Sequence, residues 1–209
     1  MSLPDANQAK TGKGEGFTYE AVRLGTPRPV AQNYLTRPVF FVGFMGAGKT
    51  SVSRKMARQL GLAVVDADTF LERQEEKKVS EIFAESGEEG FRRIETQVLR
   101  DLSSREPMLI SCGGGVILRP ENRQILKESG FVVFLKVSAQ EAKSRISDLS
   151  TRPLFNDLEE AQKRNADRLP LYEEVADLVV DTAGKSVSAL ARQVSDALRK
   201  EGVLCARQK

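Results

Sequence analysis

The sequence of 209 residues contains no histidine and only two cysteines, Cys112 and Cys205. Without histidine, a general base must be a carboxylate, lysine, tyrosine or cysteine, so the common imidazole mechanisms are excluded. The two cysteines lie far apart and form no CxxC pair, which argues against a disulfide framework or a zinc site. This cysteine usage fits a reducing compartment, and we expect a cytoplasmic protein.

Long apolar runs and a strong charge of one sign are also missing. No stretch reaches the roughly 18 apolar residues that a membrane span needs, so we expect no membrane partner. The formal net charge is +3, too small to predict nucleic-acid binding from charge alone. Apolar residues make up 40%, which is enough for a normal core. We expect a monomer whose partner is a small molecule.

Residues 1–37 differ in composition from the rest of the chain. The stretch is rich in glycine and proline and shows no periodic apolar pattern. We interpret it as a flexible N-terminal extension that contributes little to the folded domain, and a tail that binds a partner is the alternative. It has no apolar segment typical of a signal peptide, and its acidic residues argue against a transit peptide.

From residue 38 to residue 209, apolar segments typical of buried strands alternate with helical segments. The predicted strands are residues 39–44, 63–68, 108–112, 131–137 and 177–181. The predicted helices are residues 50–60, 69–78, 80–85, 88–104, 120–129, 139–147, 160–175 and 186–201. Such an alternation predicts a single α/β domain with a parallel sheet that is covered by helices on both faces.

Residues 43–50 read GFMGAGKT and match the phosphate-loop pattern GxxxxGK[ST]. The pattern lies between a predicted strand and a predicted helix, as its mechanism requires. Its glycines let backbone N–H groups point at phosphate oxygens, and the helix start adds the positive end of its dipole. Lys49 can place a charge on the β- and γ-phosphates, and Thr50 can offer a hydroxyl to Mg²⁺. The sequence therefore predicts ATP and Mg²⁺ as cofactors.

Two carboxylates, Asp66 and Asp68, are predicted at the carboxyl end of the second strand. Side chains two positions apart on a strand share a face, so both are expected to point at the ligand-binding edge of the sheet. Asp66 is the better candidate for the metal, because no acidic residue ends the strand at 108–112. The alternative is a polar strand exit in which Asp68 caps the next helix.

Three arginines and a glycine triplet complete the set of candidate residues. Arg92 lies on the longest predicted helix, where Glu95, three residues later, can hold it in place. Arg168 and Arg152 each precede a proline-containing segment, although a single arginine is ordinarily a solvated surface charge. The glycines at 113–115 follow a strand and either let backbone amides approach a ligand closely or form a tight turn.

In this order the motifs resemble the shikimate kinase family. The resemblance covers most of residues 38–200 and rests on GFMGAGKTSV at 43–52, the DxD at 66–68, FRRIE at 91–95, GGG at 113–115, RPL at 152–154 and RxPLY at 168–172. It implies a three-layer P-loop NTPase fold of the adenylate-kinase-like type, with a central, mostly five-stranded parallel sheet. It also implies phosphorylation of the 3-hydroxyl of shikimate by ATP, a step of chorismate and aromatic amino-acid biosynthesis.

The resemblance also implies a role for each matching residue. ATP is expected to bind Met45, Gly46, Ala47, Gly48, Lys49, Thr50 and Arg152; Mg²⁺ is expected to bind Thr50 and Asp66; and shikimate is expected to bind Asp68, Arg92, Gly113, Gly114, Gly115 and Arg168. The implied catalytic residues are Lys49, Asp68, which orients or deprotonates the hydroxyl, and Arg152, which comes from a lid at about 148–159. Ala67 stands where the family often has threonine, and we expect little effect from it.

Two other functions are compatible with parts of the pattern. A gluconate kinase also binds a carboxylate and hydroxyls, so two arginines do not by themselves decide between these acceptors. A catalytically inactive homologue that binds a nucleotide as a regulator is a different class, and the intact charged residues argue against it.

Overall fold

A computed structural model of the chain describes residues 33–145 and 158–207. The strands are β1 (Asn33–Leu35), β2 (Val39–Val42), β3 (Val64–Asp66), β4 (Leu109–Ser111), β5 (Phe131–Lys136), β6 (Leu178–Asp181) and β7 (Leu204–Ala206). The helices are α1 (Lys49–Leu60), α2 (Ala67–Glu75), α3 (Val79–Ser103), α4 (Pro120–Ser129), α5 (Ala139–Ser144), α6 (Leu158–Val175) and α7 (Val187–Lys200), and a short 3-10 turn spans Val116–Leu118.

Five strands form one parallel sheet in the order β3-β4-β2-β5-β6. The central strand β2 has the sequence VFFV, and all four side chains are buried. A strand that is buried on both faces needs such a continuous apolar sequence, because neither face meets water. The predicted α/β fold with a five-stranded parallel sheet is therefore confirmed.

The two faces of the sheet carry separate hydrophobic cores. Val39 and Phe41 of β2 belong to one core, which α1 and α7 cover with side chains such as Met56. Phe40 and Val42 belong to the other core, which α3, α4 and α6 cover. Helices therefore pack on both faces, as predicted. None of the helices in the described ranges combines the length and the apolar composition that crossing a membrane requires.

Glycines determine where several helices begin, end or break. Gly48 precedes α1 with φ 91°, and Gly61 ends it with φ 70° while its N–H donates to Ala57 O. Gly87 interrupts α3 with φ 65° and ψ −175°, a combination that is essentially restricted to glycine. The break at Gly87 separates the two helices that were predicted at 80–85 and 88–104.

A short antiparallel ribbon joins β1 to β7, and it corrects the predicted boundary of the extension. Residues 33–35 pair with residues 204–206, and Leu35 and Leu204 are buried in the core beneath α1 and α7. The prediction of a flexible segment up to residue 37 is therefore wrong for residues 33–35. Three-residue strands carry too little periodicity to be found in the sequence, while residues 1–32 lie outside the described residues.

Replacing Leu35 with alanine is expected to destabilise the domain by about 2–5 kcal/mol, because the change leaves a cavity beside buried apolar side chains. Tyr34 is the matched control, since its side chain is 42% exposed and its replacement by alanine should cost much less. Urea unfolding of both variants measures the difference. Equal stabilities would show that the ribbon does not contribute to the core.

Candidate active site

The candidate site lies at the carboxyl ends of the three strands β2, β3 and β4, which are neighbours in the sheet. The segment after β2 leads into α1, the segment after β3 leads into α2, and the segment after β4 forms the glycine turn at 113–115. Open parallel sheets bind ligands at this edge, because loops from neighbouring strands converge there.

The segment 43–50 has the conformation that a phosphate loop requires. Gly46 and Gly48 have φ angles of 77° and 91°, which residues with a side chain rarely adopt. A Cβ on Gly46 would also lie 2.8 Å from the carbonyl oxygen of Ala142, so a larger residue does not fit. A tight turn therefore leads into α1, which begins at Lys49. This turn and the start of the helix contain the predicted phosphate-binding residues Met45, Gly46, Ala47, Gly48, Lys49 and Thr50.

Lys49 lies over this loop. Its Nζ donates to the carbonyl oxygens of Gly43 at 2.8 Å and Phe44 at 3.1 Å. These contacts hold the ammonium group next to the amides of the loop, where the start of α1 also contributes positive potential. The arrangement creates a compact cationic site for phosphate oxygens.

Three oxygen atoms meet beside the loop. Thr50 Oγ1 donates to Asp66 Oδ2 at 2.8 Å and lies 3.0 Å from Ser111 Oγ. Hydroxyl and carboxylate oxygens are hard ligands of the kind that Mg²⁺ prefers, together with phosphates and water. The chemistry of Thr50 and Asp66 therefore fits the predicted metal site. The sequence gives no signal for Ser111, because a serine at the end of a strand is common and its partner Thr50 lies 61 residues away.

The predicted geometry of the carboxylate pair is wrong. Strand β3 ends at Asp66, and α2 begins at Ala67. Asp66 caps this helix, because its Oδ1 accepts from the backbone N–H of Thr69 at 3.2 Å, a bond that a carboxylate at the N-cap readily forms. Asp68 lies in the first turn of the helix, so the two carboxylates do not share the face of a strand. The alternative in which Asp68 is the cap is also wrong.

Asp68 instead approaches the glycine turn after β4. A Cβ on Gly113 would lie 2.7 Å from Asp68 Oδ1 and 3.2 Å from Glu95 Oε1. The glycine therefore leaves room for both carboxylates in a small cavity that α2, α3 and the turn line together. Asp66 faces Thr50 on α1 and Asp68 faces α3, so the two carboxylates serve different halves of the site.

Arg92 and Glu95 form a largely buried ion pair on α3. Arg92 Nη1 lies 2.7 Å from Glu95 Oε2, and the two side chains are 11% and 8% exposed. Burial raises the pKa of the Glu95 carboxyl above its ordinary value, and the charge of Arg92 opposes that rise. The predicted pairing of these two residues is confirmed. Arg92 Nε is buried and meets no hydrogen-bond acceptor among residues 33–145 and 158–207.

The third glycine of the turn makes room for this arginine. A Cβ on Gly115 would clash with the guanidinium group of Arg92. Gly113 and Gly115 thus place Asp68 and Arg92 against the backbone of one turn. The sequence predicted that the glycines let a ligand approach this backbone closely. In the structure, the side chains of Asp68 and Arg92 are the groups that lie close to it.

Arg168 reaches the same turn from α6. Its Nη1 lies 3.5 Å from the carbonyl oxygen of Gly114, and Tyr172 Oη donates to the same oxygen at 2.5 Å. Tyr172 is fully buried and stacks on Phe134, and burial raises the pKa of its hydroxyl. The tyrosine therefore fixes the orientation of the Gly114 peptide next to Arg168. The RxPLY motif at 168–172 contains this tyrosine, but nothing in the motif indicates its contact with Gly114.

The remaining candidate, Arg152, cannot be placed in this site. It belongs to the predicted lid at 148–159, and residues 148–157 lie outside the described residues. The last two residues of the predicted lid, 158 and 159, form the first turn of α6. The lid and the role of Arg152 therefore stay predictions.

Together, the sheet order and the phosphate loop define the P-loop class of nucleotide-binding proteins, and Asp68, Arg92 and Arg168 gather around the glycine turn beside that loop. A family model described as shikimate kinase matches residues 45–199. The chain belongs to the shikimate kinase family.

Individual relatives agree with this assignment. A shikimate kinase of Burkholderia lata is 41% identical over 169 residues, which are 79% of this chain and 92% of the relative. The solved structure of the Acinetobacter baumannii shikimate kinase in complex with shikimate superposes with a TM-score of 0.74, at 34% identity over 79% of this chain and 94% of that one. A Sinorhizobium meliloti gluconokinase reaches a TM-score of 0.50 at 18% identity over 80% of this chain and 94% of that one, a likeness of fold alone.

Proposed function

We propose that this chain transfers the γ-phosphoryl group of ATP to the 3-hydroxyl of shikimate, a step of aromatic amino-acid biosynthesis. The observation that carries the proposal is the position of Gly114 between the two halves of the site. A Cβ on Gly114 would lie 3.6 Å from Met45 N in the phosphate loop and 3.9 Å from Tyr172 Oη beside Arg168. A phosphate on the loop and an acceptor on the arginines are therefore neighbours, as phosphoryl transfer requires.

The nucleotide half of the site uses residues 45–50 and the carboxylate of Asp66. Backbone amides of the loop bind the phosphates, and Lys49 moves from the loop carbonyls to the β- and γ-phosphate oxygens. Thr50 and Asp66 hold Mg²⁺, which neutralises phosphate charge when it is bound. ATP and Mg²⁺ are the cofactors of this enzyme family.

The acceptor half of the site uses Arg92, Arg168 and Asp68. The planar guanidinium groups bind the carboxylate of shikimate through charge-assisted hydrogen bonds. Asp68 accepts a hydrogen bond from the 3-hydroxyl and takes its proton as the oxygen attacks the γ-phosphorus. The bond from the γ-phosphorus to the bridging oxygen then breaks, and ADP leaves.

Three further predictions complete the proposal. Arg152 acts on the transferring phosphoryl group from a lid at about 148–159, which excludes water from the reaction. The enzyme works as a monomer in the cytoplasm. It requires no nucleic acid and no membrane.

The identity of the acceptor tests the proposed function. In a coupled assay of ADP formation, shikimate should support a rate far above the rates with gluconate and without acceptor. The expectation rests on the family model and on a shikimate kinase relative that is 41% identical, whereas the likeness to a gluconokinase is one of fold alone. Equal rates with both acceptors would contradict the assignment. ATP binding without turnover of either acceptor would indicate the inactive regulator instead.

A further inference from the structure

Ser111 lies at the centre of the nucleotide half of the site, although no predicted role includes it. It is the last residue of β4 and pairs in register with Asp66 of β3 and Phe41 of β2. Neighbours in register on a parallel sheet direct their side chains to the same face. Ser111 is 2% exposed, and a hydroxyl that is buried to this extent needs a hydrogen-bond partner.

The partner of Ser111 is the hydroxyl of Thr50, and the number of protons determines the direction of the bond. A threonine hydroxyl has one hydrogen, and Thr50 donates it to Asp66 Oδ2 at 2.8 Å. The second contact, between Thr50 Oγ1 and Ser111 Oγ at 3.0 Å, must therefore be donated by Ser111. Thr50 Oγ1 is then left with one lone pair.

We propose that Ser111 is a positioning residue of the metal site, which fixes the direction of the Thr50 lone pair toward Mg²⁺. Three of the four tetrahedral directions around Thr50 Oγ1 are occupied by its own Cβ, by the hydrogen shared with Asp66 and by the hydrogen from Ser111. The fourth direction is determined by the other three. The inference rests on the proposed function for the identity of the cation and the nucleotide.

The contacts of Asp66 show why the hydrogen bond from Ser111 to Thr50 matters. Asp66 Oδ1 is held by the backbone N–H of Thr69 at 3.2 Å, so the carboxylate is already oriented by the start of α2. Without Ser111, both lone pairs of Thr50 Oγ1 are open, and in this oxygen cluster Asp66 alone restrains the side chain against turning about its Cα–Cβ bond. Mg²⁺ binding would then have to order the hydroxyl, which lowers the affinity for the metal–nucleotide complex.

Replacing Ser111 with alanine tests the proposal through ADP binding measured by calorimetry across a Mg²⁺ titration. The Mg²⁺ concentration that gives half of the maximal gain in ADP affinity is expected to rise about 2- to 12-fold, the ratio for one neutral hydrogen bond. ADP affinity in EDTA should stay at the wild-type value. If Ser111 had a merely structural role, Ser111→Ala would lower ADP affinity equally with Mg²⁺ and in EDTA, and the Mg²⁺ requirement would stay at the wild-type value.

Ser53 provides a matched control on the same side of the sheet. It is fully buried, and its Oγ donates to the backbone oxygen of Thr50 at 3.2 Å and so leaves the Thr50 hydroxyl untouched. Ser53→Ala should keep the wild-type Mg²⁺ requirement. The proposal is overturned if Ser111→Ala has the same Mg²⁺ requirement as Ser53→Ala, or if it loses ADP affinity equally with and without Mg²⁺.

A second variant keeps the test decisive if Ser111→Ala does not fold. Ser111→Cys retains the shape of the side chain but replaces the hydroxyl with a weak donor, so its Mg²⁺ requirement should also rise. A wild-type requirement in Ser111→Cys would overturn the proposal. Because ADP binding needs no acceptor, a failure to phosphorylate shikimate would contradict the proposed function and leave this result in place.

Discussion

Replacing Asp68 with asparagine is expected to lower kcat with shikimate by about 10²- to 10⁴-fold, the usual contribution of a positioned acid or base. Asparagine keeps the shape of the side chain but cannot take the proton of the attacking hydroxyl. ATP affinity should hardly change, because Asp68 approaches Gly113 and Glu95, while Asp66 is the carboxylate that contacts Thr50. Steady-state kinetics and nucleotide titrations of the same preparation measure both effects.

Asp66→Asn is the control that separates the two carboxylates. It keeps a side-chain oxygen that can cap α2, but it removes the charge beside Thr50, so it should weaken Mg²⁺-dependent nucleotide binding. Asp68→Asn should leave that binding intact. The division of roles would be wrong if Asp68→Asn lost Mg²⁺-dependent ATP affinity while Asp66→Asn retained it.

The sheet and the phosphate loop could be predicted from local sequence. Strand β2 is a continuous apolar segment followed directly by GxxxxGKT, and each of these signals depends on residues that are adjacent in the chain. Helix α4, at Pro120–Ser129, was predicted with its observed bounds because a proline marks its first turn. Local signals of this kind predict the folded structure correctly because the tertiary contacts favour the same secondary structure.

The carboxylate pair shows the limit of such local signals. The residues around Asp66 and Asp68 favour a strand by their apolar neighbours, but Asp66 gains a hydrogen bond from Thr69 N by capping a helix. Periodicity over five residues cannot distinguish a longer strand from a strand that ends in a helix cap. The assignment of Asp68 to the acceptor survives, but it now rests on the glycine turn and not on a shared strand face.

Contacts between distant residues were beyond the reach of the sequence pattern. Ser111 meets Thr50 from a position 61 residues away, and Tyr172 meets Gly114 from 58 residues away. The ribbon of β1 and β7 joins the two ends of the described chain. The sheet order brings Ser111 to Thr50, the packing of α6 brings Tyr172 to Gly114, and β1 and β7 pair outside the five-stranded sheet. No spacing of residue types along the chain encodes these arrangements.

The second large effect is expected from the two arginines that face the acceptor. Arg168→Ala should weaken shikimate binding about 10- to 150-fold, the loss for a charge-assisted hydrogen bond of about 1.5–3 kcal/mol. ATP affinity should be nearly unchanged, because Arg168 contacts the carbonyl oxygen of Gly114 and is assigned to the acceptor and not to the phosphates. Shikimate kinetics and nucleotide calorimetry on the same variant measure the separation.

Arg92→Ala should lose shikimate affinity to a similar extent, but it also leaves the buried carboxylate of Glu95 without its partner. Such a loss destabilises a folded protein, so Arg92→Lys is the better variant. Lysine keeps the charge near Glu95 and loses the planar fork that matches a carboxylate. We expect Arg92→Lys to fold normally and still bind shikimate more weakly than the wild type.

Arg93 is the matched control for both arginines. It follows Arg92 on α3, but it is exposed and lines a separate groove with Glu75 of α2 and Gln97 of α3. Arg93→Ala should therefore leave shikimate and ATP affinity at their wild-type values. If Arg168→Ala instead lost ATP affinity and kept shikimate affinity, Arg168 would belong to the phosphates. Arg93 is exposed on α3, whereas the guanidinium group of Arg92 lies against Gly115, so Arg92 would then be left to bind the acceptor carboxylate.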